Sequence, residues 1–138
     1  MQRSIKVRPP DTILVSATDH GRLTGLARAS LDRLPDTAEE LLSEMDRATV
    51  ATAGALPDNV VRMGSTIVAR NGGGAEQRMT LVYPADADIA AQRISVLTPL
   101  GTALIGAQVG HCVQWTTRDG REMMLDIVEV LPPHADRT

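Results

Sequence analysis

Apolar residues recur at helical spacing twice in the first third of the chain, then at alternating spacing through the rest. Leu23, Leu26, Ala27, Ser30, Leu31 and Leu34 fall on one face of a first helix. Ala38, Leu41, Leu42, Met45 and Ala48 fall on one face of a second. Ser16-Ala17-Thr18-Asp19 carries a start signal for the first helix, with an acid three places after the cap. Leu34-Pro35-Asp36-Thr37 breaks the first stripe and recaps the second. Two short helices joined by so brief a turn are expected to run antiparallel and seal their stripes together. Ile13-Leu14-Val15 precedes them as a short strand candidate, and Pro9-Pro10 marks residues 1–12 as a polar arm.

Residues 51–57 read as a linker, and beyond them the period changes to two. Residues 66–70, a turn at Asn71-Gly72-Gly73-Gly74, and residues 77–83 predict a hairpin. Residues 111–117 and 121–131 predict another, turned by Asp119-Gly120. Between the hairpins, residues 94–110 read as a strand, a capped two-turn helix and a tight exit. Thr98 is an N-cap type, and Pro99 stands at the first helical position, where its missing N–H costs nothing. Gly106 falls where a left-handed residue ends the helix. Because Leu100 to Ile105 is apolar apart from Gly101 and Thr102, this helix is buried or covers something. The predicted fold class is α+β: a short N-terminal antiparallel helical hairpin (a coiled coil) over residues 1–55, then an antiparallel sheet domain with one short helix over residues 56–138.

Composition narrows the function. Hydrophobic residues make up 43% and charged residues 22%, enough for a packed core in one domain or a small domain with an appendage. Trp115 and Tyr83 are the sole aromatics, which removes the stacking platforms of single-strand binders. With net charge −3 and no basic cluster, direct nucleic-acid binding is not expected. Cys112 stands alone, excluding an internal disulfide and multi-cysteine zinc sites. It reads as a small core residue. His20, His111 and His134 lack metal-ligand spacing and read as solvated, so neither metal nor cofactor is expected. The Gly72–Gly74 run lacks the Lys-Ser/Thr pair and helix start of a phosphate loop and reads as a flexible turn. No nucleophile motif is present, and the chain is read as a non-enzyme. No apolar run approaches membrane-spanning length, and residues 1–10 have no signal-peptide core, so a cytoplasmic protein is expected.

Ser95-Val96-Leu97-Thr98-Pro99-Leu100-Gly101 and Ala103-Leu104-Ile105-Gly106 resemble the C-terminal domain of the Gre transcript-cleavage factors. Leu81-Val82-Tyr83-Pro84-Ala85-Asp86-Ala87-Asp88 and Leu56-Pro57-Asp58-Asn59-Val60-Val61-Arg62-Met63 are similar to their small relatives, the regulator of nucleoside diphosphate kinase family. The resemblance covers most of residues 56–131; the N-terminal third matches in outline, as two short helices. It implies a C-terminal domain shaped like the FK506-binding-protein (FKBP) fold, though without isomerase activity, since those sites are built from aromatic rings that this chain lacks. One departure from the family pattern is His111, which follows Gly110 where Gre-like domains usually place Asp.

The resemblance further implies a transcription regulator that binds RNA polymerase at the secondary-channel entrance and competes there with Gre factors; a monomer is expected. By analogy, Thr98, Pro99, Leu100 and Gly101 are the expected polymerase-binding residues; the alternative is that their helix caps the sheet. Asp36, Glu39 and Glu40 lie at the expected hairpin tip, where Gre factors carry acids that help hold a metal ion in the polymerase active site. They read equally as a solvated acidic face near a helix N-terminus. A first helix over residues 19–33 spans about 22 Å at 1.5 Å per residue, half the reach of Gre hairpins. The acids are therefore expected to fall short of the catalytic metal, and transcript cleavage is not expected. Two other function classes stay open: direct or indirect regulation of nucleoside diphosphate kinase, and an adaptor role with another partner.

Overall fold

The computed structural model describes residues 13–133; the arm at residues 1–12 and His134 lie outside the described residues. In chain order the elements are β1 (Leu14–Ser16), α1 (Ala17–Ala29), α2 (Pro35–Arg47), β2 (Thr49–Ala51), β3 (Thr66–Arg70), β4 (Glu76–Val82), β5 (Arg93–Ser95), α3 (Pro99–Leu104), β6 (Cys112–Thr116) and β7 (Glu122–Leu131). Single 3-10 turns lie at Ala53–Ala55, Pro84–Asp86 and Ile89–Ala91. The protein is α+β, with three helices and a five-stranded sheet ordered β5-β4-β3-β7-β6.

Local chemistry sets the helix ends. Ser16 caps α1 by accepting from the Asp19 N–H at 3.1 Å, as its start signal requires. The helix stops at Ala29, short of the expected Arg33, because the Ser30 hydroxyl donates to Leu26 O at 2.8 Å and its N–H turns back to Ala27 O. At α2 no side chain caps the first turn. Pro35, at the first helical position with its φ already helical, starts the helix instead. The two helices pack side by side, burying Leu23 and Ala27 against Ala38, Leu41 and Met45.

The β3–β4 and β6–β7 hairpins form where the alternation places them. Asn71 closes the first, its Oδ1 accepting from Gly73 and Ala75 N–H groups. Two strand expectations are corrected. The sheet is mixed, since β5 runs parallel to β4, with Thr80 opposite Arg93 and Val82 opposite Ser95. Two 3-10 turns between them, at Pro84–Asp86 and Ile89–Ala91, carry the chain back to Thr80, so β5 runs beside the last three residues of β4 in the same direction. The residues read as a linker also begin inside a strand: β2 pairs in parallel with β1, Val15 opposite Val50.

One hydrophobic cluster joins everything: Ile13, Val15, Leu23, Leu41 and Met45 from the N-terminal third meet Ile67, Leu81, Leu104, Val113 and Leu125. Polar contacts lock the same junction. Asp19 accepts from the Met63 N–H at 3.3 Å and from the Tyr83 hydroxyl at 3.4 Å. The Arg22 guanidinium lies 4.6 Å from the centre of the Tyr83 ring. Burial first, then the Asp19 charge, pushes the Tyr83 phenol up to about 12. His20, read from sequence as solvated, instead bonds Met45 O at 3.1 Å through Nε2, satisfying a terminal carbonyl of α2. His111 is likewise engaged. Its Nδ1 accepts from the Gln108 N–H at 3.4 Å, so an imidazole closes the turn.

A candidate interaction groove between the hairpin and the sheet

The segment from Ser95 to Thr102 is built by its own side chains. The Thr98 hydroxyl donates to Ser95 O at 2.7 Å and accepts from the Gly101 N–H at 3.0 Å, capping α3 while tying it to the end of β5. The buried Thr102 hydroxyl donates to Val96 O at 2.9 Å. Gly101 lets the helix lie against the strand exit: a Cβ there would sit 2.1 Å from Ser95 O and 2.7 Å from Val96 Cα. Gly106, at φ +80°, ends the helix against Ile13, whose Cβ would stand 2.6 Å from an added Cβ. These contacts seat α3 against β6 and α2.

The seating divides the four residues expected to meet a partner. Gly101 is buried and shapes the segment from within, while Leu100 is half-buried and packs in part against the core. Thr98 and Pro99 are half-exposed at its surface. Pro99 lines a cavity of about 440 Å³ with Arg33, Leu34, Asp36 and Glu40 of the hairpin and with Thr116, Thr117 and Arg118 of the β6–β7 hairpin. Asp36 and Glu40 therefore share one surface with Pro99, because the hairpin lies along the sheet domain with its tip beside α3. Glu39 is exposed and lines none of this groove.

Glu40 is the residue common to the groove's whole length. It lines a second cavity of about 280 Å³ with Glu44, Arg47, Pro99 and Trp115. It also lines a third of about 470 Å³ with Trp115, Glu122, Met123 and Met124. Partial burial, then the neighbouring Glu44 and Asp36 carboxylates, raises the Glu40 carboxyl above the ordinary glutamate value. Arg47 is held at 2.7 Å by Glu44 and at 2.8 Å by Ser43. The groove thus combines a strip of acids on α2, a half-buried indole and a proline-led helix start. Among the described residues no group of three or more His, Cys, Asp or Glu is placed to hold a metal ion. Cys112 is buried and free; burial and the Asp126 charge push its thiol up, which suits a packing residue.

Trp115, Glu122 and Met123 were not picked out in the sequence. The alternation over residues 111–117 does place Trp115 on the face of Val113, and Trp115 stands opposite Met123 across the β6–β7 pair. Nothing in that alternation says that α2 will bring Glu40 beside them. Among the described residues no helix is long and apolar enough to cross a membrane.

Comparison with known proteins places this fold. Residues 56–132 match the family described as "Transcription elongation factor, GreA/GreB, C-term", and residues 11–50 match "Rnk N-terminus". The chain is 32% identical over 120 residues to the regulator of nucleoside diphosphate kinase of Escherichia coli (strain K12), covering 86% of this chain and 88% of that one. It is 34% identical over 104 residues to transcription elongation factor GreA of Rhodospirillum rubrum, covering 71% and 66% respectively. A solved prokaryotic transcription elongation factor GreA/GreB from Nitrosomonas europaea superimposes with a TM-score of 0.74 at 34% identity, over 86% of this chain and 98% of that one. With an Rnk-type N-terminus joined to a GreA/GreB-type C-terminal domain, the chain belongs to the regulator of nucleoside diphosphate kinase family within the wider group of Gre-like transcription factors.

Proposed function

We propose that this protein is a transcription regulator that binds RNA polymerase at the secondary-channel entrance, competes there with Gre factors and does not stimulate transcript cleavage. The observation that carries the reading is the hairpin. Its helices have thirteen residues each, about 20 Å at 1.5 Å per residue. Its tip acids Asp36 and Glu40 lie in the groove with Pro99, where they are suited to gripping a partner's surface and are poorly placed to reach down a channel. Thr98 and Pro99 supply the exposed part of the grip; Leu100 and Gly101 hold them in position. We read the hairpin of residues 1–55 as a short coiled coil and residues 56–138 as an FKBP-like domain. The protein works as a cytoplasmic monomer without enzymatic activity of its own.

The test is binding of the purified protein to core RNA polymerase with a Gre factor as competitor. Mutual displacement, with stalled complexes keeping their RNA length, is the expected result. Shortened transcripts would overturn the non-cleaving part of the reading, and absence of binding at micromolar concentration would overturn the whole. The name of the Escherichia coli relative favours a second reading, regulation of nucleoside diphosphate kinase by direct or indirect action. Purified kinase assayed with and without the protein separates direct action from an indirect, transcriptional effect.

A further inference from the structure

The third cavity differs from the rest of the groove in its charge. Arg33 and Arg118 border the cavity at the hairpin tip, and Arg47 borders the second, where Glu44 holds it. The third, about 470 Å³, is bordered by two carboxylates, Glu40 and Glu122, and, among the described residues, by no cation. Neither carboxylate has an ion pair or hydrogen bond among the described residues. Beside them stand the half-buried Trp115 ring, Met123 directly across the strand pair, and Met124, which is 48% exposed. Glu40 is already crowded by Asp36 and Glu44 and partly desolvated, and among the described residues no cation faces it within this third cavity.

We propose that this cavity seats an arginine side chain presented by the protein on which the chain docks. The assignment of that protein as RNA polymerase rests on the function proposed above. A guanidinium fits the lining in three ways. Its planar fork of five donors can engage two carboxylates at once. Its flat face stacks on an indole, and its weak hydration makes transfer beside apolar thioethers easier than for an ammonium. Its aliphatic stem covers methionine side chains. Trp115 and Met123 on the sheet and Glu40 on α2 form this seat only because the hairpin lies along the sheet domain.

Two measurements test it. In the first, N-acetyl-arginine amide is titrated into the full chain and followed by NMR, with N-acetyl-citrulline amide as the neutral isostere. Shifts at the Trp115 indole N–H and the Met123 methyl with arginine alone, abolished in the Glu40→Gln/Glu122→Gln double variant, are expected. Equal shifts with both compounds, or none with either, would overturn the proposal. In the second, binding to core RNA polymerase should weaken about tenfold in the double variant, the scale of losing charge-assisted hydrogen bonds. Unchanged binding by a folded double variant would overturn it also. If the wild type binds no polymerase yet discriminates arginine from citrulline, the arginine seat stands and the polymerase assignment fails.

Discussion

At Gly101 the absence of a single methyl group sets how closely α3 can lie against the chain that precedes it. The atoms a Cβ would meet are backbone, Ser95 O and Val96 Cα, and cannot swing aside as a flexible side chain would. Gly101→Ala is therefore expected to cost about 3 kcal/mol of stability in a denaturant melt, near the upper end for overpacking. A loss within about 0.5 kcal/mol would show that the helix can slide outward at little cost. The only tyrosine offers a second residue-scale check. Its phenol is raised from 10.0 to about 12, so the neutral form is favoured by folding. That stabilisation is fully present below pH 10 and is lost as pH rises through about 12. A spectrophotometric titration of the native protein should show phenolate appearing near 12, moving toward 10 in Asp19→Asn.

Among the elements, α1 is the one most weakly specified by its own residues. Gly21 and Gly25 lie within it, and a Cβ at either would meet nothing within 4 Å. Replacing Gly25 with Ala should add about 1 kcal/mol, read as a higher thermal midpoint, because the helix gains propensity and meets no clash. An unchanged or lower midpoint would mean that the helix needs the extra freedom of glycine. The contrast with α3 explains what was readable in advance. The Thr98–Pro99 start and the Gly106 exit are local signals, carried within nine residues, and the structure reproduces them. The β1–β2 pairing joins residues thirty-five apart, and the parallel β5 depends on a detour through two 3-10 turns. Neither has a local signature, so the linker expected over residues 51–57 begins inside β2 at Ala51, and the sheet expected to be antiparallel is mixed.

For the whole molecule, the portion matching the Rnk N-terminus and the portion matching the Gre C-terminal domain contribute to one core. Asp19 further bonds the helical hairpin to Met63 and Tyr83 of the second portion. The far-ultraviolet helix signal and the fluorescence of Trp115, on β6, should therefore fall in a single coincident transition. Separated midpoints would show the hairpin unfolding on its own. The same packing explains why the groove was only half legible. Pro99 is legible as a helix start and Asp36 and Glu40 as acids near a helix N-terminus, while their place in a binding surface is an expectation from the resemblance to Gre factors. Trp115, Glu122 and Met123 join them through a tertiary approach that no spacing along the chain encodes.

The β1–β2 ribbon clamps both feet of the hairpin, since the strands that enter α1 and leave α2 are zipped side by side in parallel. Hairpin length is thereby uncoupled from the foundation. Adding a whole number of turns to both helices would leave the ribbon, the Asp19 contacts and the core in register. It would carry the tip past α3. The reach of such a protein is then a dimension that can be reset like the length of a crane's jib, while the mast and its footing stay as they are.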